Sequence, residues 1–296
     1  MLADFKDGRF FVSPIIGCPG KCKYCYLPTR SVDQIARRSN YLIESIIESI
    51  ESNQNFIKGK YGSIISVGAW GDIFSKKSDE DFSINWIKNL LQTGNPVQIM
   101  SKFSISDEKA RRICDSIQYD NQLLYSTTIT TFSNWKVFEN GTVSPIERLQ
   151  TANKFKQYGV LTNVMIKPYL SEYTCDDKDL FVENFKKYEI DYCVVGVMYW
   201  DSTIIKQMKS VVPSKSPFYI LLNDSKEQII DCSSDMSLNT FSSLKTDVFI
   251  NYLKDNGINV FKKSSCVNSN ILKVPNVSKY YYEDPDNYCL NCGNCK

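Results

Sequence analysis

Six short apolar runs, at residues 9–16, 62–68, 97–101, 123–130, 160–166 and 192–198, are each followed by a stretch patterned as a helix. The helical stretches fall at 32–52, 81–92, 107–116, 145–157, 178–187 and 203–211. Several of the runs are apolar almost without interruption, as strands buried on both faces require. Local signals agree. Ser106-Asp107-Glu108 reads as a helix start, Ser144-Pro145 as a cap with proline in the first turn, and Gly94 and Gly159 as helix ends. Repeated strand–helix steps predict an α/β chain wound on a parallel sheet, as a partial or full barrel or as an open sheet.

Beyond Pro213 the rhythm changes. Segments 218–222 and 227–231 flank Asn223-Asp224-Ser225-Lys226 and suggest a hairpin. A helix is expected at 245–254 and a last strand at 258–262, and from Ser264 onward the chain reads as irregular. The expected organisation is a core over 1–212, an α/β extension over 213–263 and a cysteine-rich tail over 264–296.

A hydrophobic content of 43% supports a sizeable core and argues against global disorder. The net charge of +2 leaves no overall footprint for nucleic acid, though a local basic groove is compatible with it. The opening MLADFKDG has no charged-then-apolar leader, and no apolar run is long enough to span a bilayer, so a cytoplasmic protein is expected.

Eleven cysteines and no histidine narrow the chemistry. Without histidine there is no His-ligated zinc or haem and no His-based triad, so a metal must rest mainly on thiolates. In a reducing compartment clustered cysteines read as metal ligands before disulfides. Cys18, Cys22 and Cys25 follow the first strand at spacing C-x3-C-x2-C, with Gly17, Pro19 and Gly20 letting the backbone bend around something compact. Three thiolates leave one iron of a [4Fe–4S] cluster open to a small molecule. A structural zinc knuckle is the other reading of such a group.

The loop, with Tyr24 before its third cysteine, resembles the signature of the radical S-adenosylmethionine superfamily. Read as C-K-Y-C-Y-L from Cys22 to Leu27, it is similar to the spore photoproduct lyase-like branch, which includes DNA repair photolyase-like proteins. The resemblance extends over roughly residues 9–170. It implies a partial (β/α)6 TIM-type barrel with a C-terminal cysteine-rich extension. It also implies a [4Fe–4S] cluster at Cys18, Cys22 and Cys25 whose open iron is chelated by S-adenosylmethionine. In that family an electron from the cluster cleaves the cofactor to a 5′-deoxyadenosyl radical, which abstracts hydrogen from substrate.

Further site residues follow from the same resemblance. The segment Gly68-Ala69-Trp70-Gly71-Asp72 ends the second strand, where family members contact the cofactor's amino group. Lys102 ends the third strand, where it would meet the methionyl carboxylate. Ser126 and Thr128 lie on the fourth strand, where a hydroxyl binds cofactor, and Arg148 resembles an arginine of the helix that follows. Tyr24 joins the cofactor-binding set. Spore photoproduct lyases return hydrogen through a cysteine near the second strand's end. Here Ala69 or a neighbour stands there, and no cysteine lies between Cys25 and Cys114, which argues for a different substrate.

Cys289, Cys292 and Cys295 form C-x2-C-x2-C, the opening of a ferredoxin-type run, with Cys266 as candidate fourth ligand. A second [4Fe–4S] cluster is the favoured reading; a four-thiolate zinc site and redox-active thiols are the alternatives. Cys114 and Cys193 read as buried thiols. Cys175, in the loop after the fifth strand, is the free cysteine to consider as hydrogen donor, and Tyr26 is the other candidate catalytic side chain. Tyr24, Tyr26, Trp70, Tyr169, Tyr199 and Trp200 could wall the site or stack on a planar substrate. The expected function is a radical S-adenosylmethionine enzyme acting on a nucleic acid or nucleotide, served by a reductant such as flavodoxin or ferredoxin and with no membrane partner. A peptide or protein side-chain maturase and a non-catalytic iron–sulfur sensor are the alternatives.

Overall fold

The first strands set the sheet's edge: β1 (Asp4–Lys6) pairs antiparallel with β2 (Arg9–Val12). After β2 comes a separate two-stranded ladder of β3 (Ile15–Ile16) and β4 (Arg37–Arg38). The first winding then begins: α1 (Ile43–Glu51), β5 (Ile64–Val67), α2 (Glu80–Gln92), β6 (Val97–Met100) and α3 (Asp107–Cys114). It continues with β7 (Leu123–Thr128), α4 (Trp135–Phe138), α5 (Pro145–Lys156), β8 (Leu161–Ile166), α6 (Glu172–Cys175), α7 (Lys178–Lys187) and β9 (Tyr192–Val195). Last come α8 (Ser202–Lys209), α9 (Pro217–Asp224), α10 (Thr246–Asp255), β10 (Asn259–Phe261) and α11 (Ser264–Leu272). The computed structural model describes residues 3–6, 8–196, 201–224 and 246–274.

The main sheet runs β1-β2-β5-β6-β7-β8-β9-β10, and every pair from β2 to β10 is parallel. This is the expected α/β partial barrel: the strand order opens at β1 and ends at β10, with no pairing among the described residues that closes it. Alternation along each strand sorts the two faces. Ile65, Val67, Ile99, Tyr125, Val164 and Val195 join one core with helical residues such as Trp86, Leu90, Phe155 and Phe185. Ile64, Leu124 and Val194 point the other way, onto Val267, Ile271 and Leu272 of α11. The expected helix starts hold. Ser106 accepts from Lys109 N at the head of α3, and Ser144 with Glu147 forms a reciprocal capping box at the head of α5.

Three expectations are corrected. The helix expected over 32–52 is confined to α1, because residues 37 and 38 are held extended by pairing with Ile16 and Ile15, and Ser39 N donates to Pro14 O. Non-local pairing overrides the local pattern there. In the hairpin expected from 218, the first arm is instead helical: Phe218 and Leu222, four residues apart, are both buried in α9; the second arm lies outside the described residues. The last strand expected over 258–262 is β10, which extends the main sheet by pairing with β9. Finally, Ser264 begins not irregular chain but α11, whose residues from Ser265 to Leu272 are all buried.

α11 carries polar residues into the sheet's second face. Its Asn268 amide meets the Gln98 side chain at 2.6 Å; Gln98 Oε1 also accepts from Ser66 Oγ at 2.9 Å and Arg9 at 3.3 Å, and Gln98 Nε2 donates to Ser126 Oγ at 2.9 Å. Most buried polar groups in folded proteins are paired in this way. Among the described residues no helix is long and apolar enough to cross a membrane. Because Ile271 is 1% exposed against the sheet, Ile271→Ala should destabilise the fold by about 2–5 kcal/mol. Chemical denaturation checks this, and a loss below about 0.5 kcal/mol would mean that α11 is not packed as described.

Candidate metal and cofactor site

The cysteine loop leaves β3 and is held from two sides by backbone contacts that tolerate only glycine. On one side Gly17 N donates to Trp70 O at 2.8 Å, and Gly17 bridges Gly71. A Cβ on Gly71 would lie 2.4 Å from Ile15 O and 2.6 Å from Gly17 O. On the other side Gly141 N donates to Gly20 O at 3.1 Å and Lys23 N to Phe138 O at 2.8 Å. A Cβ on Gly141 would lie 2.3 Å from Pro19 O. The segments after β5 and after β7 thus grip the loop, one on each flank.

Cys22 is buried and Cys18 and Cys25 are half-buried. Among the described residues no three cysteine or acidic side chains close on one point as the ligands of a single metal ion do. A [4Fe–4S] cluster asks for something different, one thiolate on each of several irons. Gly20 leaves room between two of the sulfurs: a Cβ there would lie 3.3 Å from Cys18 Sγ and 3.7 Å from Cys22 Sγ. The soft donor set, its spacing and this gap fit a cluster ligated by Cys18, Cys22 and Cys25.

Burial holds all three thiols above their ordinary range, Cys22 to about 11, with Cys18 and Cys25 raised for the same reason. The Lys102 ammonium opposes this at each of the three sulfurs. Lys102 Nζ lies 3.4 Å from Cys22 Sγ, 2.8 Å from Tyr24 Oη and 3.3 Å from Glu139 Oε1. Glu139 is fully buried, which pushes its carboxyl up; the Arg148 guanidinium beside it pulls it down. The Tyr24 hydroxyl donates to Glu139, as does Arg148, which is itself fully buried.

The other expected residues divide into groups. Gly68 adopts φ +109°, where a Cβ would meet Met100 O at 2.9 Å, so it shapes the turn after β5. Asp72 is buried with both carboxylate oxygens engaged: Ser101 Oγ and Phe74 N donate to one, Lys102 N to the other. It therefore ties the end of β6 to the turn after β5. Ser126 is fully buried and accepts from Gln98, while half-buried Thr128 offers its carbonyl to Arg148 at 2.7 Å. Tyr26 lies 36% exposed beside the loop; its hydroxyl donates to Ala69 O, and the Arg30 guanidinium lies over both its ring and that of Trp70.

Cys175 is not brought to the loop. It packs into the outer core with Tyr169, whose hydroxyl it contacts. Its neighbour Tyr173 joins Cys22, Tyr24 and Phe138 instead. Cys266 is 3% exposed within α11. Cys289, Cys292, Cys295, Tyr199 and Trp200 lie outside the described residues. Glu139 is the residue that sequence reasoning missed. Its one local signal is that no other acidic residue lies between Asp120 and Glu147.

Gly141→Ala would push a methyl group into Pro19 O, overpacking the loop by about 1–3 kcal/mol. The expected result is a folded protein by circular dichroism whose iron content after anaerobic reconstitution drops sharply; full iron loading would contradict the grip described above.

No family model and no curated protein matches the sequence. Solved structures do. A spore photoproduct lyase complexed with dinucleoside spore photoproduct matches with TM-score 0.52 at 15% identity, over 73% of this chain and 62% of that one. A lyase variant with bound AdoMet and dinucleoside spore photoproduct matches with TM-score 0.59 at 14% identity, over 86% of this chain and 76% of that one. Streptococcus suis SuiB bound to S-adenosylmethionine matches with TM-score 0.52 at 13% identity, over 86% of this chain and 49% of that one. The chain thus spans less than two thirds of the first of these and about half of the last. At such identities the likeness establishes architecture alone, and the chain shares the fold of these spore photoproduct lyase and SuiB structures.

Proposed function

We propose that this protein is a radical S-adenosylmethionine enzyme, with a [4Fe–4S] cluster on Cys18, Cys22 and Cys25 and the cofactor at the remaining iron. The observation that carries this reading is the position of the loop. It lies beside the C-terminal ends of β5 and β6, gripped by glycine contacts, in a fold shared with structures that hold S-adenosylmethionine. When bound, the pair would supply reductive cleavage of the cofactor to a 5′-deoxyadenosyl radical.

The chain's own residues supply placement and shelter. The turn from Gly68 to Gly71 is half-buried to buried beside the loop, with Trp70 O accepting from Gly17 N and Ala69 O from the Tyr26 hydroxyl. Ile204 and Met208 of α8 and Phe218 and Leu222 of α9 pack with Phe138 and Leu170 over Cys22 and Tyr24. That apolar cover shields Cys22 and Tyr24 from water. Tyr26 and Trp70 give an aromatic wall at the exposed side. A nucleic acid or nucleotide is the substrate class favoured, supported by the dinucleoside held by the similar lyase and by rings suited to stacking. Ala69, where lyases carry a cysteine, favours a product other than repaired thymine. Cys175, packed away from the loop, is a poor candidate for hydrogen donor, and Tyr26 the better one.

The second reading is a peptide or protein side-chain maturase. It draws on Cys289, Cys292 and Cys295, whose spacing suits an auxiliary [4Fe–4S] cluster or a zinc site, with Cys266 as the further ligand. Either reading requires an electron donor such as flavodoxin or ferredoxin and suits the reducing cytoplasm. Reduced, reconstituted protein should release 5′-deoxyadenosine from S-adenosylmethionine, and Cys25→Ala should abolish that release. Undiminished release by Cys25→Ala would overturn the assignment. Salt-sensitive binding of DNA or RNA separates the two substrate classes.

A further inference from the structure

Lys102 was expected to receive the cofactor's carboxylate, yet its surroundings give it other partners. An ammonium has three N–H donors. Here three protein acceptors face it: Cys22 Sγ at 3.4 Å, Tyr24 Oη at 2.8 Å and Glu139 Oε1 at 3.3 Å. Its Nζ also lies 4.6 Å from the centroid of the Tyr24 ring. The side chain is 18% exposed, so little of it is left to solvent.

The position of Glu139 is set from behind. Arg148 donates to its second oxygen, and directs its remaining donors to Thr128 O at 2.7 Å, Val143 O at 2.9 Å and Thr142 Oγ1. Thr130 Oγ1 reaches Glu139 Oε1 at 3.5 Å. The backbone of Glu139 is pinned too: its N–H donates to Trp135 O at 2.7 Å and its carbonyl accepts from Thr142 N at 3.0 Å. Glu139 and Arg148 form a fully buried ion pair with no exposed edge, so neither can move without leaving a buried charge uncompensated.

We propose that Glu139, locked by Arg148, is a positioning residue that directs the Lys102 ammonium at the sulfur of Cys22, and that Lys102 thereby tunes the cluster's reduction potential. The inference rests on the reading that Cys22 ligates a [4Fe–4S] cluster. A hydrogen bond and a positive charge at a ligating sulfur favour the form of the cluster that has taken up one electron, and so raise its potential.

The test is a redox titration of the full-length, anaerobically reconstituted protein, followed by electron paramagnetic resonance. It is read on the signal that Cys25→Ala lacks. Lys102→Met should move the midpoint to a more negative potential, and Lys102→Arg should restore it in part. Glu139→Gln discriminates further. Removing a negative charge near the cluster would by itself raise the midpoint, whereas releasing Lys102 from Cys22 lowers it. A fall in Glu139→Gln that vanishes in the Lys102→Met background identifies positioning. An unchanged midpoint in Lys102→Met, or a rise in Glu139→Gln, would overturn the inference. Should Glu139→Gln fail to fold, the two Lys102 variants decide alone. Failure of the wild-type protein to assemble any cluster that depends on Cys25 refutes the underlying reading instead.

Discussion

Backbone packed directly on backbone, at positions where only glycine fits, is the constraint on which the site depends. Gly17 and Gly71 meet on one flank of the cysteine loop, and Gly20 and Gly141 on the other. Each contact joins the loop to a segment that follows a sheet strand, β5 in one case and β7 in the other. The sheet therefore sets the loop's position through two rigid attachments rather than through side chains. A metal ligand loop needs such attachment, because ligand sulfurs held by mobile backbone would have to be ordered when the cluster binds.

Charge is organised on the same frame. One lysine lies against the buried Cys22 thiol, and that lysine faces a carboxylate buried together with its own arginine. Such a buried pair adds little net stability, since desolvation offsets attraction, but losing one partner leaves a buried charge and costs about 3–5 kcal/mol. The pair makes sense as a device for fixing direction. Asp72 plays a related part with neutral partners: its oxygens accept from Ser101, Lys102 and Phe74, so the backbone that carries Lys102 is fixed from the side of β5 while its ammonium is fixed from the side of α4 and α5.

How much of this was legible in the sequence varies with how local its cause is. The strand–helix rhythm, the caps at Ser106 and Ser144 and the cysteine loop depend on near neighbours, and the structure bears out the strands and caps. The stretch 32–42 misled because its extended course comes from pairing with β3, far back in the chain. α11 misled for a different reason. A helix with one apolar stripe advertises itself, but Ser-Ser-Cys-Val-Asn-Ser-Asn-Ile-Leu is enclosed all round, and its Asn268 is matched by Gln98 of the sheet. Glu139 was invisible in the same sense: its partners Tyr24, Lys102 and Arg148 come together only when the loop, β6 and α5 are assembled.

The central claim is that Cys18, Cys22 and Cys25 hold a cluster with one iron left open to S-adenosylmethionine. Electron–nuclear double resonance on the reduced protein with 15N- and 17O-labelled S-adenosylmethionine tests it most directly. The account predicts hyperfine coupling from the label's amino nitrogen and carboxylate oxygen to the cluster, lost in Cys25→Ala. A cluster that shows no coupling to either label, with the cofactor bound, would contradict it.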